Sequence, residues 1–174
     1  MRTLTAFRYV SPRTRPLNFQ EAEVRRLSYA IKSPQASAED VATAAKAMAA
    51  LIETPCWLIP IPDRNGNTDA NAKLASQIAL YAGNGAQVVK AIVRVRPIQS
   101  QCDRHKLRLG PITPDEHHLR RTGKYLTLRQ TYFVDNVTTS GNTFQAAHNA
   151  MTFGTGLAFA DATPHHHPHQ PELL

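Results

Sequence analysis

The sequence predicts an α/β fold, a doubly wound parallel sheet with helices on both faces. Three observations predict it. Strand-like apolar runs alternate with helical patterns along the chain, the order expected of parallel strands joined by right-handed crossovers. Residues Thr131–Val134 and Cys56–Pro62 form apolar runs without charge and read as buried strands. Each is followed by a polar loop and then a helical pattern, so two loops lie at strand carboxyl ends, where such sheets bind ligands.

The first 16 residues hold four arginines and two prolines. Leu4 to Val10 reads as an edge strand, and Pro12 and Pro16 break the chain after it. Asn18 caps a helix from about Phe19 to Lys32 with Val24, Leu27 and Ile31 on one side. Ser33 and Pro34 mark a turn. Ser37 to Asp40 reads as a capping box that opens an alanine-rich helix to about Glu53, with Val41, Met48, Leu51 and Ile52 as its larger contacts. Pro55 ends that helix ahead of the Cys56–Pro62 strand. A polar loop over 63–71 leads into a helix from about Ala70 to Ala82, with Gly83 beyond it.

Gln87 to Val95 predicts the next strand. Ile98 to Ile112 has little periodicity and carries Arg104, His105, Lys106 and Arg108; a long basic loop in a compact domain is usually functional or disordered. Thr113-Pro114-Asp115-Glu116 has the chemistry of a helix start, with a helix expected to about Arg121. His117 and His118 are neighbours, so on a helix they face different directions and make a poor metal pair. Lys124 to Leu128 reads as a short strand. After the Thr131–Val134 strand a helix begins at Phe144, with Phe144, Ala147 and Met151 on one face and Gly154 to end it. Gly156 to Ala162 predicts the last strand. The tail from 164 holds His165 to His169 between prolines and reads as mobile rather than as a metal site.

With 174 residues and 42% hydrophobic content, one domain with a real core is expected. No apolar run approaches a membrane span, and the basic N-terminus lacks the apolar stretch of a secretory signal. Cys56 and Cys102 form no C-x-x-C pair and suit a reducing, cytoplasmic setting. The net charge of +7 fits either a polyanionic small ligand or a nucleic acid, and no zinc-finger or RNP signature accompanies it. The sequence leaves the oligomeric state, a homodimer included, open.

The chemistry concentrates at 135–143. Asp135 and Asn136 stand at the carboxyl end of the strand, and Val137 to Thr143 supplies small hydroxylic residues and Gly141. The first amides of the following helix lack partners and carry partial positive charge, which suits a phosphate. Gly141 lets the backbone approach it without a Cβ in the way. Thr139, Ser140 and Thr143 add hydroxyl donors, and the acid ahead of the loop suits sugar hydroxyls. A phosphorylated sugar is the ligand these groups suggest; a purely structural strand–turn–helix is the alternative.

Asp135-Asn-Val-Thr-Thr-Ser-Gly-Asn-Thr143 behind an apolar strand resembles the phosphoribosyl-pyrophosphate (PRPP) motif of type I phosphoribosyltransferases. The resemblance covers residues 55–162, and Ile59 to Pro62 followed by Arg64 and Asn71 is similar to the ComF-like members. It implies that Asp135 and Asn136 hold the ribose, and that Thr138, Thr139, Ser140, Gly141, Asn142 and Thr143 hold the 5′-phosphate. It implies a pyrophosphate loop at Asp63, Arg64, Asn65 and Gly66. It implies a flexible loop bringing Arg104, Lys106 and Arg108 over the substrate. Mg²⁺ is the implied cofactor, and a nucleobase or similar nitrogenous compound the implied acceptor. On this reading residues 1–36 are an extension, 37–163 the phosphoribosyltransferase-like domain and 164–174 a tail. Asn136 stands where the family has a second acid, which bears on catalysis more than on binding. A non-catalytic PRPP-binding regulator and a nucleic-acid-associated protein are the other expectations.

Overall fold

The structure is a computed structural model that describes residues 1–12, 15–83, 85–123, 126 and 129–163. Five parallel strands form the main sheet in the order β1-β7-β6-β2-β3. They are β1 (Thr3–Arg8), β2 (Cys56–Pro60), β3 (Ala86–Val88), β6 (Gln130–Thr138) and β7 (Thr155–Asp161). A small antiparallel pair, β4 (Ile92–Arg94) and β5 (Leu119–Arg121), stands apart from it. The α/β class with a parallel sheet is as the sequence predicts.

Helices α1 (Phe19–Ala30), α2 (Ala38–Ala49) and α3 (Asp69–Ala82) cover one face. Their Val24, Leu27, Ile31, Val41, Met48, Leu74 and Ile78 pack with Leu58, Tyr132, Val134 and Leu157 of the strands. Helix α5 (Asn142–Met151) covers the other face together with β4. There Phe144, Ala147, Met151 and Ile92 pack on Ile59, Phe133 and Ala158. Tyr132 and Val134 thus serve one core and Phe133 the other, as alternation along a strand requires.

The helix starts follow from local chemistry. The Asn18 side chain accepts the Glu21 amide at 2.9 Å while Glu21 accepts the Asn18 amide at 3.0 Å, a complete capping box. The Ser37 hydroxyl accepts the Asp40 amide at 3.1 Å, and α2 ends at Ala49, short of the expected Glu53. β1 pairs with β7 in register from Thr3 opposite Gly156, and Val24 and Leu27 of α1 lie in the shared core.

Two predicted elements differ. The Gln87–Val95 run is two strands, because the chain leaves the sheet after Val88 and Ile92 to Arg94 pair with β5 instead. The helix expected from Thr113 stops after one 3₁₀ turn, Asp115–His117. Only half of the expected box forms: Glu116 accepts from the Thr113 amide at 2.8 Å and from its hydroxyl at 3.0 Å, but Pro114 is the N-cap and no side chain caps the turn. His118 then turns left-handed (φ 49°) and directs the chain into β5. The 98–112 loop contains a short helix, α4 (Gln101–Lys106). The strand expected at 124–128, save residue 126, and the histidine tail lie outside the described residues. Among the described residues no helix is long and apolar enough to cross a membrane.

Helix α5 sits tight on the sheet. A Cβ at Gly156 would lie 2.7 Å from the Phe144 ring, and one at Gly154 would lie 2.6 Å from Phe133. Phe133→Ala should therefore cost about 3–5 kcal/mol through the cavity it leaves. Gly156→Val should cost about 1–3 kcal/mol by overpacking. Urea denaturation of each variant beside the parent chain checks both values.

Candidate functional site

The site lies where the chain reverses its winding. From β2 the chain passes through α3 to β3 on one side; from β6 it passes through α5 to β7 on the other. Crevices open outside strand carboxyl ends at such a switch point. Pairing between β2 and β6 ends at Pro60 opposite Val134, followed by one further bond from the Ile61 amide to the Val134 carbonyl at 3.0 Å. On its other side β6 stays paired with β7 as far as Thr138 opposite Asp161. Asp135 and Asn136 are thus inside a nine-residue strand, not beyond its end, but they stand past the point where β2 has left.

A cleft of about 430 Å³ fills that opening. Asp135, Asn136 and Thr143 line it from β6 and α5, and Asp63, Arg64, Asn67 and Asn71 from the loop and helix after β2. Asp135 is half-buried, and its Oδ1 accepts the Asn136 amide at 2.8 Å and the Asn71 side-chain amide at 3.2 Å. Burial raises its pKa, and those hydrogen bonds, with the cations Lys32 and Arg94, pull the other way. Asn71 is itself buried and donates to the Ile61 carbonyl at 2.8 Å, so one amide links the end of β2 to the middle of β6. The Asn136 Oδ1 accepts the Val137 amide at 2.7 Å, which leaves its NH₂ group for a ligand.

The 63–67 loop is arranged differently from the expectation. The Asp63 carboxylate accepts the Asn65 amide at 2.9 Å and the Asn67 amide at 2.8 Å. The Gly66 amide bonds the Asp63 carbonyl, and the Asp63 amide bonds the Asn67 carbonyl. These four amides are satisfied within the turn, so of the expected pyrophosphate loop the side chains and the Arg64 amide are what an anion would meet. Arg64 lies on the cleft wall and pairs with Asp103 at 3.7 Å across an exposed gap.

The predicted phosphate loop divides. Thr143 faces the cleft, while Thr138, Thr139, Ser140, Gly141 and Asn142 line a neighbouring groove of about 370 Å³ beside β1. The start of α5 is the wall between the two. Gly141 is left-handed there (φ 75°) and no side chain caps the helix. The Asn142 amide meets the Ser140 hydroxyl at 3.4 Å, and the amides after it stay available to an anion. Asn142 ties this wall to the loop opposite through the Ile112 carbonyl at 2.7 Å. Arg104, Lys106 and Arg108 do not line the cleft: Arg104 bonds Glu116 at 3.0 Å and the Gly110 carbonyl at 2.9 Å, and the other two are exposed. Ile98, Gln99 and Ser100 of the same loop do line it.

Three lining residues escape the sequence reading: Lys32, Arg94 and His117. Arg94 on β4 donates to the Asp63 carbonyl at 2.7 Å, the Pro62 carbonyl at 3.1 Å and the His117 carbonyl. It clamps the β4–β5 pair onto the turn after β2. Its partners are all neutral carbonyls, and burial lowers its pKa while Asp135 and Asp63 raise it. Nothing local in the sequence marks these positions, because a strand excursion and a helix end bring them to the cleft.

His117 is 6% exposed, its Nδ1 is buried without a partner, and His118 is exposed. An unpaired buried polar group costs about 1–3 kcal/mol. Burial, then the Arg94 charge, holds the His117 pKa down to about 4 against an ordinary 6.5. Among the described residues no group of three or more His, Cys, Asp or Glu is placed to hold a metal. No family model, curated protein or solved structure matches the chain at a significant level.

The depressed His117 pKa has a signed consequence for stability. Between pH 6.5 and about 4 the unfolded chain takes up a proton that folded His117 refuses. Acidification through that window should weaken the fold, and His117→Gln should flatten the slope there. Urea midpoints of both proteins at pH 7 and pH 4.5 measure it.

Proposed function

We propose that the chain binds PRPP at the β2–β6 crevice and acts as a phosphoribosyltransferase-like protein. It would transfer ribose 5-phosphate to a nitrogenous acceptor with release of pyrophosphate. The observation that carries this reading is the half-buried Asp135 carboxylate standing in the crevice where β2 and β6 part, next to the uncapped start of α5. A fixed carboxylate beside free helix amides suits a ligand with vicinal hydroxyls at one end and a phosphate at the other. The resemblance of 135–143 to the PRPP motif supports the same assignment.

In this reading Asp135 accepts hydrogen bonds from the ribose hydroxyls and stabilises positive charge as the bond from C1 to pyrophosphate loosens. Asn71 fixes the carboxylate's orientation. The NH₂ group of Asn136 donates to a hydroxyl oxygen. Thr143 and the first amides of α5 take the 5′-phosphate. Lys32, Arg64 and Arg94 face the pyrophosphate as side-chain cations. A Mg²⁺ would be held by the pyrophosphate and ribose oxygens and by water, with Asp135 the carboxylate on the cleft wall that could face it. When bound, that ion supplies charge neutralisation to the departing pyrophosphate.

A non-catalytic PRPP binder is the second reading. The amide at Asn136, turned to its own backbone neighbour, favours it. Without the second acid, one negative charge is missing beside a cationic transition state.

Titration calorimetry with PRPP and Mg²⁺ tests the common part. Asp135→Asn should weaken binding roughly 10- to 100-fold, the loss of a charged hydrogen-bond acceptor; absence of heat with the parent chain would sink both readings. Pyrophosphate release with a panel of nucleobases then separates transferase from binder.

A further inference from the structure

The cleft wall is mixed. Lys32, Arg64, Arg94, Asp63 and Asp135 give it charge, and the uncharged Ile98, Ile112 and His117 stand among them: the Ile98 amide bonds the Arg64 carbonyl at 3.0 Å, and the His117 carbonyl accepts from Arg94. Ile112 is 8% exposed and its carbonyl is tied to Asn142, so this wall is fixed against the start of α5. His117 is equally fixed. Its own carbonyl is held by Arg94, and the turn that carries it is closed by the Thr113–Glu116 bond.

A buried ring nitrogen without a protein partner is rare in a folded core, and here it belongs to a ring on the wall of the cleft. With Nδ1 shut off from solvent, the edge left to face the cleft carries Nε2. An uncharged imidazole has one N–H donor and one acceptor lone pair. An unpaired lone pair is better tolerated in a core than an unpaired N–H. The proton therefore belongs on Nε2, where a ligand oxygen or ring nitrogen can accept it.

We propose that His117 is the residue that recognises the acceptor, by donating a hydrogen bond to a ring nitrogen or carbonyl oxygen of an uncharged, planar nitrogenous base seated against Ile98 and Ile112. The assignment rests on the PRPP reading of the cleft and adds the specificity element that reading lacks. A site built around one hydrogen bond in an apolar surround discriminates strongly against ligands that leave the bond unmade.

The experiment compares ligands that share the sugar phosphate and differ in the base. Affinities of the full chain for ribose 5-phosphate and for adenosine, guanosine, cytidine and uridine 5′-monophosphates are measured by calorimetry. The expected result is at least one nucleotide bound about tenfold or more tighter than ribose 5-phosphate. His117→Leu should remove that advantage, with the loss confined to the nucleotide, and His117→Gln should restore part of it. On the parent chain, the His117 imidazole ¹⁵N resonances should shift with that nucleotide and not with ribose 5-phosphate. That spectrum answers the question even if His117→Leu fails to fold. A nucleotide advantage that survives His117→Leu, an equal loss for ribose 5-phosphate, or unmoved ring resonances would overturn the assignment while leaving the PRPP reading intact. If the parent chain bound neither PRPP nor ribose 5-phosphate, the PRPP reading would fall and take this one with it.

Discussion

The site depends on one buried side-chain amide. Asn71 reaches from α3 to the Ile61 carbonyl, where β2 has just ended, and to the Asp135 carboxylate in β6. It holds the two segments at a fixed distance at the place where their ladder stops. Without it, the Ile61 carbonyl and the Asp135 oxygen would be poorly solvated groups at the bottom of a crevice, each short of a partner. The crevice, the orientation of the carboxylate and the start of α3 share this single group, so the chemistry of the site and the stability of the sheet's open end are linked.

The second determinant is a cation without a close counter-ion. Arg94 satisfies its guanidinium with the carbonyls of Pro62, Asp63 and His117. Carbonyls fix its position, and the carboxylates of Asp135 and Asp63 act on its charge without bonding it. A partly buried positive charge of this kind lowers the cost of bringing a polyanion into the cleft. Burial, and after it this charge, holds the His117 pKa down, so the imidazole beside the arginine stays neutral.

Much of the fold was legible where a segment's own residues decide its structure. Asn18 and Glu21 spell a cap, and the cap forms; Cys56 to Pro60 is apolar and buried on both sides. Legibility failed where a distant partner decides. Nothing within Gln87–Val95 announces that the chain changes sheets between Val88 and Ile92, since the pairing with Leu119–Arg121 that draws it away lies a loop further on. The Glu116 bond back to the Thr113 amide was legible, but the threonine does not cap the turn, and the left-handed turn at His118 that cuts the helix short serves that same pairing. In the site, Asp135 and Thr143 could be found because strand, acid and helix start are contiguous. Lys32, Arg94 and His117 arrive from three separate elements, and no window of sequence contains them together. The loop at 63–67 shows the reverse case, in which suitable residues were present but had already bonded one another.

The sheet's outermost pairing has a consequence for how the molecule is made. β1 is held by β7, with Thr3 opposite Gly156 and Arg8 opposite Asp161. During synthesis the earlier strand emerges long before its mate and must wait, unpaired, until the segments between them have been made. A ladder closed between such remote segments is a slow step in assembly, and until it closes the unfinished polypeptide offers a bare strand edge to its neighbours.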